Sequence, residues 1–274
     1  MCPGIEVDAF FVGDIKSPEQ GDAIAARLTG YDLVLAHRDA SPRLGRLRTE
    51  ALEQVMGCVS RIPKLGFSGF HPDALTMMDP ALRGTVLGAY HSALIAGAYV
   101  AGVPRGQVAD LFNAYIYARL GYFDEYAKAR AFLSGQLIKL GFEADPLFAA
   151  WERIGQFMYT PNHPRIETIW AFATAVCRKH GIDSVATREL PLDELSDNVR
   201  WPVYPEIGRR LGVEGSLDFK PQRGAALDLD AYIDRVWTFY ERIPPEALRD
   251  PRLVRVAGLL RAEGLGRVTE AAAA

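Results

Sequence analysis

The chain has 274 residues and a mass of 30.2 kDa, with 49% hydrophobic, 24% charged and 10% aromatic residues. That composition is ordinary for a globular protein and excludes disordered, collagen-like and disulfide-scaffold classes. Thirty-one basic and 34 acidic side chains leave a net charge of −3, which argues against a nucleic-acid partner, since such surfaces carry a basic excess.

In chain order, the apolar run Val7 to Val12 predicts a buried strand. Ser17-Pro18 predicts the start of a helix that closes near Gly30, with Ser as N-cap and Pro at the first helical position. Tyr31 to Ala36 reads as a second strand, Leu47 to Val59 as a helix and Ile62 to Phe67 as a third strand. Strand–helix–strand alternation predicts parallel pairing with crossover helices, and such sheets place ligands beyond the carboxyl ends of their strands. From residue 80 onward the pattern turns helical, over about 84–102, 104–120, 124–141, 146–158, 164–180 and 229–242. Residues 183–225 read as mostly irregular and 269–274 as a frayed tail. The fold class is therefore α/β: a small parallel N-terminal sheet with crossover helices, followed by a predominantly helical C-terminal part. The expected division is 1–80 and 81–274, packed as one domain.

Gly84 to Pro104 carries no charged residue and is about long enough to cross a bilayer. Its four glycines, its polar Tyr90, His91 and Ser92, and the lack of flanking Lys or Arg runs favour a buried core helix instead. The start, MCPGIEVDAFFVGD, has no basic segment followed by an apolar stretch. Cys2, Cys58 and Cys177 are too widely spaced for a CxxC site and odd in number, against a secreted disulfide framework. A cytoplasmic protein that does not span a membrane, and holds no metal, is the expectation.

Three segments concentrate side chains able to do chemistry. Phe67-Ser68-Gly69-Phe70-His71-Pro72-Asp73 follows the third predicted strand and offers an imidazole and a carboxylate; it equally describes a turn with a helix cap. Thr160-Pro161-Asn162-His163-Pro164 opens the 164–180 helix, with His163 at the N-cap position where an anion could be held; the plain alternative is a capped helix start. Tyr90-His91-Ser92 lies in the uncharged helix, where a satisfied core histidine is the simpler reading. GxGxxG, P-loop, GxSxG, HExxH and CxxC motifs are absent.

The succession GFHPD, GAYHSALIAGAYVAGVPRGQVADLFNAYIYARLGYFDEY, FMYTPNHPRIETIWAFA and PVYPEIGRRLGVEGSLDFKP resembles the WcbI-type capsular polysaccharide biosynthesis family over about residues 7–240. The resemblance implies coenzyme A or acetyl-CoA as co-substrate and acetyl transfer onto a bacterial surface glycan or its precursor. It nominates His71 and Asp73 as catalytic residues, and Tyr90, His91, Ser92, Asn162 and His163 as substrate- or cofactor-binding ones. The family also implies a first strand running into an Asn-Cys-Gln nucleophile turn. Here Cys2 precedes the first predicted strand without that context, and Cys58 and Cys177 fall in predicted helices, where buried thiols are inert. A missing edge strand would leave the sheet open to association with a second copy. Three functions follow: a transferase in which His71, aided by Asp73, deprotonates a sugar hydroxyl; an inactive homologue that binds coenzyme A or glycan; or an esterase-like hydrolase using Ser68 or Ser92.

Overall fold

The structure is a computed structural model that describes residues 2, 4–184 and 189–266; the predicted tail at 269–274 lies outside them. In chain order the helices are α1 (Pro18–Leu28), α2 (Thr49–Val55), α3 (Ala93–Ala101), α4 (Ala114–Leu120), α5 (Glu125–Lys139), α6 (Ala144–Glu152), α7 (Ile166–Lys179), α8 (Pro205–Leu211), α9 (Leu229–Tyr240) and α10 (Pro251–Ala262). The strands are β1 (Val34–His37), β2 (Val59–Ile62), β3 (Ala74–Thr76), β4 (Tyr90–Ser92), β5 (Met158–Thr160) and β6 (His163–Pro164). They pair as β1 with β2 in parallel, and as β3 with β4 and β5 with β6 antiparallel. The fold is mixed α/β with a small parallel N-terminal sheet and a helical C-terminal part, as the sequence pattern implies.

Two compact units divide the chain, one comprising Met1–Leu65, Leu133–Phe148 and Ala171–Glu189, the other Gly66–Phe132, Ala149–Trp170 and Leu190–Ala274. Three of the five boundaries fall within α5, α6 and α7. In the first unit, α1 starts at Pro18 after an extended Ser17, as expected, and its buried face joins Leu44, Leu47, Leu52 and Val34 in one apolar cluster. Gly21 is the close approach in that packing, because a Cβ there would overlap the backbone carbonyl of Leu44. Gly21→Ala is therefore expected to destabilise the protein by about 1–3 kcal/mol, although alanine is the better helix former by about 1 kcal/mol. A chemical denaturation midpoint at or above wild type would refute this.

Val7 to Val12 forms no strand: residues 5–11 are irregular and Val12–Asp14 is a 3₁₀ turn. Val7 is 83% and Phe11 74% exposed, so the run is apolar without having a neighbour to pair with. The third predicted strand, at 62–67, is displaced to β2, which ends before Pro63, a residue with no N–H to donate to a ladder. The helix predicted to reach Val59 stops at Val55, so Cys58 sits in a turn and not in a helix.

The uncharged stretch 84–102 is only partly helical. Its Tyr90-His91-Ser92 is strand β4, and the helix begins at Ala93, where the Ser92 hydroxyl accepts from Ile95 N–H. A short apolar run carries no period that separates a buried strand from a buried helix. No helix among the described residues is long and apolar enough to cross a membrane. The predicted helix over 104–120 is broken into 3₁₀ turns at Arg105–Gln107 and Ala109–Leu111 before α4, which Asn113 caps. The helix predicted at 146–158 ends at Glu152, and its last residues become β5. Within the segment read as irregular lies α8, opened by Pro205. The unforeseen α10 begins at Asp250-Pro251, an N-cap followed by Pro at the first position, and packs against the fully buried face of α3.

Candidate functional site

The second unit holds all three chemistry-bearing segments. The loop ahead of β3 is fixed by two turn bonds, His71 N–H to Ser68 carbonyl (2.8 Å) and Ala74 N–H to His71 carbonyl (3.0 Å), and Phe67 N–H donates to Pro161 carbonyl (2.7 Å). Phe67 and Phe70 pack edge-on or tilted against Phe157 and Tyr126. Gly69 permits this, since a Cβ there would come 2.8 Å from the Tyr126 Cα.

His71 is almost completely buried, and its Nε2 meets the Gln156 side-chain amide at 3.1 Å. The amide donates, so Nε2 is the unprotonated nitrogen. Burial outweighs the favourable Trp201 backbone group and pushes the His71 pKa down to about 3. The ring is therefore a neutral hydrogen-bond acceptor at physiological pH.

Asp73 does not face His71. Its carboxylate is fully buried and accepts four hydrogen bonds: from the hydroxyls of Ser92 (2.5 Å), Tyr122 (2.6 Å) and Tyr204 (2.6 Å), and from Leu94 N–H (2.8 Å). Desolvation raises its pKa and the four donors oppose that rise. The geometry makes Asp73 a clamp joining β3, β4, the start of α3 and two distant tyrosines. A carboxylate in this role needs every lone pair occupied, and this one has four donors.

His91 is likewise occupied at both ring nitrogens, by the Leu82 carbonyl at Nε2 (2.9 Å) and the Tyr240 hydroxyl at Nδ1 (2.9 Å), with its ring stacked on Tyr240. A carbonyl can only accept, which places the proton on Nε2. Ser92 donates to Asp73 while capping α3, and Ser68 donates to Glu125 (2.6 Å). Each of these serines is thus bonded to a carboxylate, not to an imidazole.

Tyr90, Asn162 and His163 come together. The Tyr90 hydroxyl donates to Asn162 Oδ1 and lies 3.1 Å from Thr160 Oγ1 and 3.3 Å from His163 Nε2. Since its own proton goes to Asn162, the Tyr90 oxygen accepts from His163 Nε2–H. His163 Nδ1 is then the basic nitrogen; it is buried and has no hydrogen-bond partner. Burial lowers the pKa of His163, which is half-buried, and raises that of Tyr90. His163 does not cap α7, as its Asn-His-Pro setting predicts. It pairs in β6 with Thr160, and the helix starts at Ile166, whose N–H is held by Asp193 (3.1 Å). Asn162 is the exposed member of the group.

Sequence reasoning reaches these residues but not their partners. Gln156, Tyr122, Tyr204 and Tyr240 complete the hydrogen bonds, and nothing in their spacing marks them as members, whereas Thr160 opens the Asn162-His163 segment itself. In the first unit, Cys2 Sγ lies 3.5 Å from Cys177 Sγ, both as free thiols, and burial, with this contact second, raises the Cys177 pKa.

Comparison with known proteins places this arrangement in context. The fold is shared with the solved structure of WcbI, described as a novel polysaccharide biosynthesis enzyme, in its native form without a disulfide bond between coenzyme A and one of its cysteines. The two are 18% identical, with a TM-score of 0.65 over 90% of this chain and 86% of that one. A comparison with curated proteins gave no match. The family profile "Polysaccharide biosynthesis enzyme WcbI" matches residues 9–184, which take in the His71 loop, β4 and the Asn162–His163 turn. The chain belongs to the WcbI family of polysaccharide biosynthesis enzymes.

Proposed function

We propose that the protein is a coenzyme A-dependent acyltransferase that moves an acetyl group from acetyl-CoA to a hydroxyl of a bacterial capsular or surface glycan, acting in the cytoplasm. The observation that carries this reading is the imidazole of His163, held in one tautomer by Tyr90 with its basic nitrogen unpaired. The solved relative whose description mentions coenzyme A supports the choice of donor.

In this reaction the acceptor hydroxyl attacks the thioester carbonyl. The C–S bond breaks, the hydroxyl proton passes to His163 Nδ1, and the thiolate of coenzyme A leaves to be protonated in turn. A neutral imidazole is the required starting state, and burial maintains it. Tyr90 and Asn162 hold the ring as positioning residues. The His163 Nδ1 is itself buried, so proton transfer requires the half-buried ring to open toward the acceptor; His71, also neutral, is the second candidate base and lies deeper, behind Phe70 and Gln156. The hydrolase alternative is disfavoured because neither Ser68 nor Ser92 has an imidazole to take its proton.

Thermal unfolding with coenzyme A, with ADP as control, tests the donor. At about 100 times its dissociation constant a ligand adds roughly 2.7 kcal/mol, or roughly 5–10 °C for a protein of this size. No shift at millimolar coenzyme A would refute the proposal. His163→Ala is expected to keep the coenzyme A shift and to lose acetyl transfer by a factor of about 10²–10⁴. Wild-type turnover in that variant would remove the assigned base.

A further inference from the structure

Arg200 and Lys220 form a mutual antiparallel bridge, with Arg200 N–H donating to the Lys220 carbonyl (3.0 Å) and Lys220 N–H to the Arg200 carbonyl (3.2 Å). Residues directly opposite in such a pair project their side chains to one face, where like charges repel. Here the two cations are drawn still closer. Arg200 Nη2 and Lys220 Nζ both donate to the Ser196 carbonyl, at 2.5 and 3.2 Å, so the separation of the two heads cannot exceed the sum of those distances. The shared partner is neutral, and among the described residues no carboxylate lies within salt-bridge distance of either cation.

Beside them, the Arg200 guanidinium lies 4.8 Å from the centroid of the Tyr159 ring, and that of Arg165 5.6 Å from it. Asp193 is committed to the Tyr159 hydroxyl and to Ile166 N–H, and Glu167 only reaches Arg165, at 3.6 Å. The Arg165 Nε is buried without a partner.

A half-buried pair of like charges fixed by the fold, with spare N–H groups, is unfavourable alone and becomes favourable with an oxyanion between them. The chain continues from Arg200 into Trp201, whose backbone favours the proton on His71, and Gln156 bonds both His71 and, through its carbonyl, Arg165 (3.4 Å). We infer that Arg200 and Lys220, on the Tyr159 platform and with Arg165 as third cation, form a binding site for an oxyanion carried by the glycan substrate. This rests on the acyltransferase reading only for the identity of the ligand. The shared chemistry is a compact oxygen anion, supplied either by the phosphate of a glycosyl diphosphate or by the carboxylate of a uronic acid.

Titration calorimetry at low salt with pyrophosphate and with D-glucuronate tests this on the wild-type chain and on Arg200→Met, Lys220→Met and Lys220→Arg. At least one probe is expected to bind wild type, to bind each methionine variant at least tenfold more weakly, and to be retained by Lys220→Arg. Whichever probe binds identifies the source of the oxyanion. Failure of both probes to bind wild type at 10 mM (roughly the weakest binding of interest), or unchanged binding in both methionine variants, would overturn the site. The coenzyme A shift is measured on the same variants. If both methionine variants lose it, a donor phosphate occupies the cations and the glycan assignment is wrong. If wild type binds pyrophosphate or glucuronate without any coenzyme A shift, the transferase reading fails and the oxyanion site stands.

Discussion

Asp73→Ala is expected to lower the melting temperature by roughly 6–20 °C. The substitution removes one buried carboxylate but strands four donors, the hydroxyls of Ser92, Tyr122 and Tyr204 and the N–H of Leu94, in the buried interior. Breaking a buried polar network from one side costs about 3–5 kcal/mol, and in a chain of this length each kcal/mol moves the midpoint by about 2–4 °C. Asp73→Asn should fall between wild type and alanine, because an amide keeps one acceptor oxygen and turns two further donors toward the remaining tyrosine. Coenzyme A binding measured below the new midpoint should survive in Asp73→Asn, since the carboxylate does not touch either candidate base. Melting curves for Asp73→Ala that overlay those of the native chain would show that the four donors are satisfied in some other way.

The second large effect is acid instability. His71 has a folded pKa near 3, and its unfolded value is near 6.5. Below pH 6.5 the unfolded chain takes up a proton that the folded chain refuses, so stability falls as pH drops through that window and levels out near pH 3. For His71 alone the loss is about 2 kcal/mol at pH 5 and about 5 kcal/mol once pH is below 3. His91 and His163 are shifted in the same direction by burial and add to it. Urea titrations at pH 7 and pH 5 should show His71→Gln losing about 2 kcal/mol less than wild type over that interval. Equal losses in the two proteins would mean that the buried imidazole is reached by solvent before it is protonated.

How much of this was readable beforehand differs between fold and site. The parallel pairing was legible from the strand–helix–strand alternation, and β1 overlaps its predicted run Tyr31–Ala36, whereas β2 lies upstream of the predicted 62–67. Val7 to Val12 misled for a physical reason: apolar side chains mark a strand only when a neighbouring strand exists, and pairing is a property of two segments. At Tyr90-His91-Ser92 the neighbouring apolar residues are long enough for a helix, yet Ser92 has a stronger preference for capping than for a helix interior. The candidate site was visible as residue types but not as relations. His71 and Asp73 are two positions apart and point to different partners, whereas Tyr90 and His163, 73 positions apart, touch. Proximity in sequence thus paired the wrong groups, and the pairing that matters is set by β5 and β6, elements of three and two residues that no local signal announces. Asp250-Pro251, by contrast, carried an ordinary start signal for α10.

The four donors around Asp73 also constrain the order of events when the chain is made. Ser92 and Leu94 emerge soon after the carboxylate, but the Tyr204 hydroxyl that completes the shell is 131 positions later. Until that tyrosine has left the ribosome, a desolvated anion would be one ligand short, so the half-made polypeptide gains little by sealing this interior. Contacts spanning such distances close slowly, because the intervening loop must be ordered before they form. The late arrival of Tyr204 therefore acts as a timing device: the second unit is expected to become resistant to protease in a single step, only after the segment carrying α8 has been synthesised.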